Sequence, residues 1–445
     1  MFIKFRIGNT GQWQHAWLDE SGHIPPSGTI IETGLVRPDT TFNLATNPGM
    51  GIFIYRSANG SGSFPSTDSV RLRWNYGAQG ISDNAHIEVK VFAVEMVYIP
   101  QGSFAVGDSS VSVPPQFTLT TINTGNARTV PSGTGSLGGA AGGFPTGQST
   151  PVSSSWPNGY NAFYCMKYEV SQQQYVDFLN SLNKTQQINR TVSITNLVYA
   201  MTGNPPGGPS NFRNGIRCSN LSPSSPGPVS FFCDIIGQNN GGYPNDGRWI
   251  ACNHLGWLDL ESYLDWSGLR PMTELEYEKA CRGSLLPVSG EYAWCNPTLS
   301  PNPTATTNGG YDYEAFDPPI ANANYLSQIG GPLRVGAFAT SATSTRQSAG
   351  ASYYGALDMT GNIYEYVVSI GTATGLSFTG LHGNGSINSA GSYDVANWPD
   401  NSLNTGGRGG SWSGGASTVS SRSSATSQST GRTSTTGGRG VRSAH

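Results

Sequence analysis

Chemistry in this chain would have to come from a short roster of side chains. There are six cysteines, Cys165, Cys218, Cys233, Cys252, Cys281 and Cys295, and no two of them form a CxxC pair. That spacing is the usual basis of a structural zinc site, so none is expected. They read as reduced, partly buried thiols, with Cys252 and Cys281 in the core. His15, His23 and His86 read as surface or strand-packing residues, while His254, His382 and His445 stand isolated from one another. Glu365, in GNIYEY, offers a carboxylate beside loop carbonyls, which is how oxygen ligands hold calcium. Near the end lies a stretch of another kind. From Ser413 to Thr436 every residue is Ser, Thr or Gly except Ala416, Val419, Arg422, Ala425, Gln428 and Arg432. Small hydroxyl side chains of that sort are adaptable hydrogen-bonders, as in antibody paratopes.

Two kinds of region must position these residues. Over 1–94 the runs FIKFRI, QHAWL, TIIETGLV, GIFIYRS, VRLRWNY and HIEVKVFAV are short, mostly alternating, and split by Gly, Pro, Asn and Asp. That is a strand pattern, and it predicts a small all-β sandwich. At EMVYIPQGSFAVGDSS the pattern changes and a second domain begins, 95–445. EVSQQQYVDFLNSLN predicts a helix with Ser171 as N-cap and Tyr175, Phe178 and Leu179 inward. RPMTELEYEKACRG predicts another, with Thr273 and Glu276 as a capping box and Gly283 as its stop.

Composition narrows the classes. The formal charge is −3 and only 11% of residues are charged, which leaves no basic footprint for nucleic acid. No apolar run is long enough for membrane insertion as a spanning helix. The start, MFIKFRIGNTGQWQHAWLD, has interrupting charges and no apolar core, so it does not read as a signal peptide.

The second domain resembles the formylglycine-generating enzyme (sulfatase-modifying factor) family, whose fold is a variant of the C-type lectin fold. The motifs that carry the resemblance run in order: MVYIPQGSFAVGD, YCMKYEVSQQQYVDFLN, WLDLESYLDWSGLRPMTELEYEKACRG, YGALDMTGNIYEYV, GRGGSW and GRGVR. The expected fold class is therefore α+β: a C-type-lectin-like, formylglycine-generating-enzyme-like domain preceded by the small all-β sandwich. The resemblance implies calcium at GNIYEY, with Gly361 and Ile363 as carbonyl ligands beside Glu365. It also places the family's two copper cysteines at Gly414 and Val419, and no cysteine follows Cys295. Soft thiolates are what select Cu(I), and iron relatives need a histidine set. Neither copper nor iron is expected on this reading, and no catalysis.

What remains is recognition. RGGSW and GGRGVR frame the Ser/Thr/Gly window as strands of one sheet, so it reads as a displayed surface spanning about 409–442. It also resembles the variable segments of lectin-fold proteins diversified by retroelements, in which asparagine codons mutate; asparagine is absent here while serine and threonine dominate. The expected ligand-binding residues are Trp412, Ser413, Gly414, Ser417, Ser421, Ser423, Thr426, Ser427, Ser429, Thr433, Ser434, Thr435 and Thr436. The expected role is a non-catalytic adhesin of a phage tail or other extracellular surface, receptor-binding toward a host cell-surface protein or glycan. The 1–94 domain would attach it to neighbouring virion proteins, as a homo-oligomer. The rival expectations are a metal-dependent oxidoreductase of the same family and a structural shell or fibre subunit.

Overall fold

The computed structural model describes residues 1–38, 40–60, 69–108, 116–126, 137, 152–205, 211–236, 246–400, 405–422 and 431–444. The alternating N-terminal runs fold into two small sheets. Phe2–Ile7 pairs antiparallel with Ile87–Phe92 along its whole length, and with the two-residue strand Gln14–His15. Thr29–Leu35 pairs with Gly49–Arg56. Between the sheets lie Ile3, Phe5, Ala16, Leu18, Ile52 and Ile81. VRLRWNY does not form the predicted strand. It makes only isolated bridges, Ile24–Arg71 and Leu18–Trp74, because Asn75 caps a short 3-10 turn at Tyr76–Gln79 and ends the extended run. Phe2 belongs to the larger core of the chain: its ring lies 5.2 Å from Phe92 and edge-on to Trp266 at 5.2 Å.

The next strand, Met96–Ile99, starts a four-stranded antiparallel sheet with Phe163–Met166, Gly440–Ser443 and Arg270–Pro271. Helix α1, Gln172–Leu179, begins where Ser171 accepts from Gln174 N–H, and it buries Tyr175, Val176, Phe178 and Leu179. Helix α2, Lys184–Arg190, was not legible as a periodic run; it is short and set by an Asn183–Gln186 capping box. Helix α3, Trp257–Ser267, is buried nearly all round. Helix α4, Glu274–Arg282, has the predicted Thr273–Glu276 box and ends at Gly283, whose φ is 65°. A Cβ at Gly283 would stand 2.2 Å from the Tyr353 ring, so only glycine fits that stop.

Every residue of α4 is buried although five of the nine are charged. Burial on that scale demands partners. Arg270 forks onto Glu276 at 2.8 and 2.6 Å, and Arg282 pairs with Glu278 and Glu291. A three-stranded sheet completes the domain. Tyr364–Val368 lies in its centre, antiparallel to Thr405–Arg408 on one side and parallel to Thr436–Gly437 on the other. The chain therefore leaves one edge of that strand and returns to the other, and the Ser/Thr/Gly window is the connection.

Candidate functional site

The window is held at both ends by arginine. On the outgoing side Arg422 forks onto Glu274 of α4 at 2.7 and 2.9 Å, and its guanidinium lies 4.1 Å over the Phe117 ring. Arg408 bonds Glu278 Oε1 at 3.1 Å and the Val419 carbonyl at 3.0 Å. On the returning side Arg432 forks onto Asp259 of α3 at 2.7 and 2.8 Å and donates to the Asn189 and Thr191 carbonyls. Burial pushes the Glu274 carboxyl up, but Arg422 and Arg408 outweigh it and leave the group below its ordinary value.

The structure separates the predicted site residues into three sets. Trp412 is buried, and its Nε1–H donates to the Ser434 carbonyl at 2.9 Å. Thr436 is buried in its strand and donates to the Leu255 carbonyl, while Thr433, Ser434 and Thr435 are half-buried beside it. Ser413 is exposed, and Gly414, Ser417 and Ser421 are half-buried on the outgoing loop. Ser423, Thr426, Ser427 and Ser429 lie outside the described residues. Thus Trp412 and Ser434 are in direct contact, whereas Ser413 and Ser417 face outward nearby.

Around Trp412 the fold builds a recess that no local sequence pattern announced. Phe212 stands 5.8 Å from the Trp412 ring and 6.1 Å from the His254 ring. Asn253 ties the two walls together, donating to the Phe212 and Ser434 carbonyls at 2.9 Å each. His254 N–H donates to the Thr433 carbonyl. Its Nε2 is buried without a hydrogen-bond partner among the described residues. Burial pushes the His254 imidazole down to about 4, against a smaller opposing hydrogen bond with the Arg432 backbone. Phe212 and His254 both have positive φ, 49° and 57°, a conformation rare for such side chains and often found at functional sites. Positive φ carries no sequence signature in a Phe or His, which is why the recess was missed.

Glu365, expected as a calcium ligand, is taken up by Arg439, which forks onto both its oxygens at 2.7 and 2.8 Å. Gly361 and Ile363 place their backbone in this cluster: Gly361 N–H donates to the Gly409 carbonyl, and Ile363 N–H donates to Glu169. Glu169 also accepts from Asn362 at 2.5 Å, and Asp358 accepts from Gly336 N–H at 2.6 Å. Three buried carboxyls thus surround one guanidinium. Burial raises all of them, Glu169 well above its ordinary value and Asp358 to about 6, while Arg439 offsets only part of the effect.

The donors for a copper or iron centre do not assemble. Val419 is core, packed with Ile99, Tyr277 and Cys281, and its position 414 counterpart is glycine. Burial raises the thiols of Cys165, Cys233, Cys252 and Cys281, which disfavours the thiolate a metal needs. Among the described residues no group of three His, Cys, Asp or Glu side chains is placed to hold a metal ion. The residues outside that description add only Asp39, Asp68 and His445.

The Sulfatase-modifying factor enzyme 1-like domain family matches residues 85–444. The chain belongs to this family. Two curated relatives are hercynine oxygenases. The one from Mycolicibacterium smegmatis is 31% identical over 116 residues, 26% of this chain and 21% of that protein. The one from Mycobacterium tuberculosis is 30% identical over 116 residues, with the same shares. The match thus spans about a fifth of the length of these relatives. These findings correct the expectation of a non-catalytic adhesin. The family and the relatives are enzymes, and nothing in them points to a phage tail, a receptor-binding role or a retroelement. Missing copper cysteines and a missing histidine set do not by themselves exclude catalysis.

Proposed function

We propose that this chain is an oxidoreductase of the formylglycine-generating enzyme family, with its substrate face at the Trp412–Gly414 loop and the His254 recess. The observation that carries the reading is the neutral His254 in the Trp412–Phe212 aromatic cluster, its Nε2 without a partner among the described residues, next to the loop where the family resemblance puts reactive residues. Membership of the family and the relatives named as oxygenases support it. Trp412 and Phe212 would exclude water from the substrate. The outward hydroxyls of Ser413 and Ser417 would orient it, and a Cβ built at Gly414 would lie 4.0 Å from the Tyr364 hydroxyl. His254, kept neutral by burial, would accept a hydrogen bond from the substrate at Nε2 and so orient it. No step is routed through a metal, because the donors present do not fit one.

Oxygen consumption by the purified chain tests this, with hercynine or a cysteine-containing peptide as substrate and with Fe(II) or Cu(I) supplied in turn. Substrate-dependent uptake is expected, falling by about 10²-fold in His254→Asn, a residue that tolerates positive φ. Wild-type protein that consumes no oxygen above the blank in any combination would overturn the assignment.

A further inference from the structure

A cavity lies at the seam between the N-terminal sheets and the family domain, where Trp266 of α3 meets His15. It has a volume of about 240 Å³ and is walled by Trp13, Trp17 and Trp266, with Gln14, Gln186 and Ser386 among its rim residues. His15 is its one titratable lining residue. Its Nε2 faces the Met50 carbonyl at 2.5 Å, which makes Nε2 the protonated nitrogen and Nδ1 an acceptor. That Nδ1 and the Trp266 Nε1–H, both in residues 4% exposed, have no hydrogen-bond partner among the described residues. Both atoms lie behind the cavity wall, where Gly385 packs against the His15 ring.

Gln79 ties the backbone behind the cavity together: the Trp17 backbone N–H and Trp74 Nε1–H both donate to its Oε1, at 2.9 and 2.7 Å, and its Nε2 donates to the His15 carbonyl. Arg6 and Lys90 stand 4.9 and 4.6 Å over the Trp13 ring. Gln186 is held by the Asn388 carbonyl and by the α2 cap. Gln12 and Gln14, by contrast, are exposed and their amides bond no other described residue. Preformed aromatic walls with a few convergent polar groups are what a small-molecule site requires. Beyond Asn183 the cavity continues into a shallow groove along Lys184, Asn189 and Ser389, where the Lys184 ammonium is already taken by the Pro223 and Ser225 carbonyls.

We propose that this seam cavity binds a neutral saccharide, one ring against Trp17 and its linked neighbour along the α2 groove. No lining residue is an acid, a lysine or an arginine, and of the cations behind the walls Arg6 is paired with Glu88, Lys4 donates to the Gly385 carbonyl, and Lys90 lies over the Trp13 ring. Flat indole faces suit the C–H face of a pyranose, and amides suit its hydroxyls. A hydroxyl both donates and accepts, which matches the exposed amides of Gln12 and Gln14 at the rim.

Intrinsic tryptophan fluorescence and titration calorimetry on the full chain test the proposal. The probes are glucose, galactose, mannose and N-acetylglucosamine with their β-1,4-linked disaccharides, and glucose 6-phosphate serves as the anionic control. At least one neutral sugar is expected to bind saturably with Kd of about 1 mM or tighter, its disaccharide more tightly, and the phosphate ester more weakly. Gln14→Ala, which is exposed, and Trp17→Phe, which keeps a ring in the wall, should each weaken binding about tenfold with the folded near-UV spectrum unchanged. Absence of saturable binding by every neutral sugar would overturn the proposal. So would preference for the phosphate ester, or unaltered affinity in both variants.

Discussion

Two buried ion clusters sit a short distance apart in this domain and behave in opposite ways. Around α4, Glu274, Glu278 and Glu291 face Arg408, Arg422 and Arg282, so charge is balanced and Glu274 stays ionised below its ordinary range. Around Glu365, three carboxyls share the single Arg439, and all three are pushed upward. Both clusters are equally dry. The difference is stoichiometry: desolvation penalises each charge, and only a matching guanidinium repays it. The balanced cluster anchors the chain, whereas the unbalanced one retains protons.

The largest expected effect comes from emptying the poorer cluster. Arg439→Met leaves three buried carboxyls with no cation and should cost about 3–5 kcal/mol, read as a lower midpoint in urea denaturation. Arg422→Met should cost less, about 1.5–3 kcal/mol, because Arg408 still faces Glu274; an equal loss in the two variants would break the comparison. A pH series sharpens it. With Asp358 raised from 3.8 to about 6, the folded state binds the extra proton in that window, so this group's contribution is complete below 3.8 and is lost as pH rises through 6. Asp358→Asn should remove that decline, by no more than about 1.4 kcal/mol per pH unit, and expose the opposite trend of His254. That imidazole, depressed from 6.5 to about 4, loses its contribution as pH falls through 4. The smallest effect is expected at Ser421→Ala, half-exposed and touching Arg408 only through its backbone carbonyl, within about 0.5 kcal/mol of wild type.

Much of this architecture was legible where local chemistry dictates it. Ser171, Thr273 with Glu276, and Gly283 announce their helix boundaries because capping is settled within four residues. The bracketing of the window was legible from RGGSW and GGRGVR, and Arg422 and Arg432 stood out against their small neighbours. What pairs with those arginines was not legible: Glu274 lies 148 residues from Arg422, and Asp259 lies 173 from Arg432. Glu365 showed a carboxylate beside loop carbonyls, but nothing local told whether a cation or Arg439 would meet it. The recess at His254 depends on Phe212 and Trp412, brought together by tertiary packing alone. Trp398 is likewise placed by tertiary packing: it is core, stacks on Tyr393 at 5.6 Å and donates to the Leu381 carbonyl.

The two arginine clamps also bear on the entropy of the segment between them. With Arg422 fixed to α4 and Arg432 fixed to α3, the ends of 423–430 are set by the folded domain and not by the residues that join them. Closing a connection between fixed ends costs only about 0.6 kcal/mol more for each doubling of its length. The clamps thus set where that connection leaves α4 and where it rejoins α3.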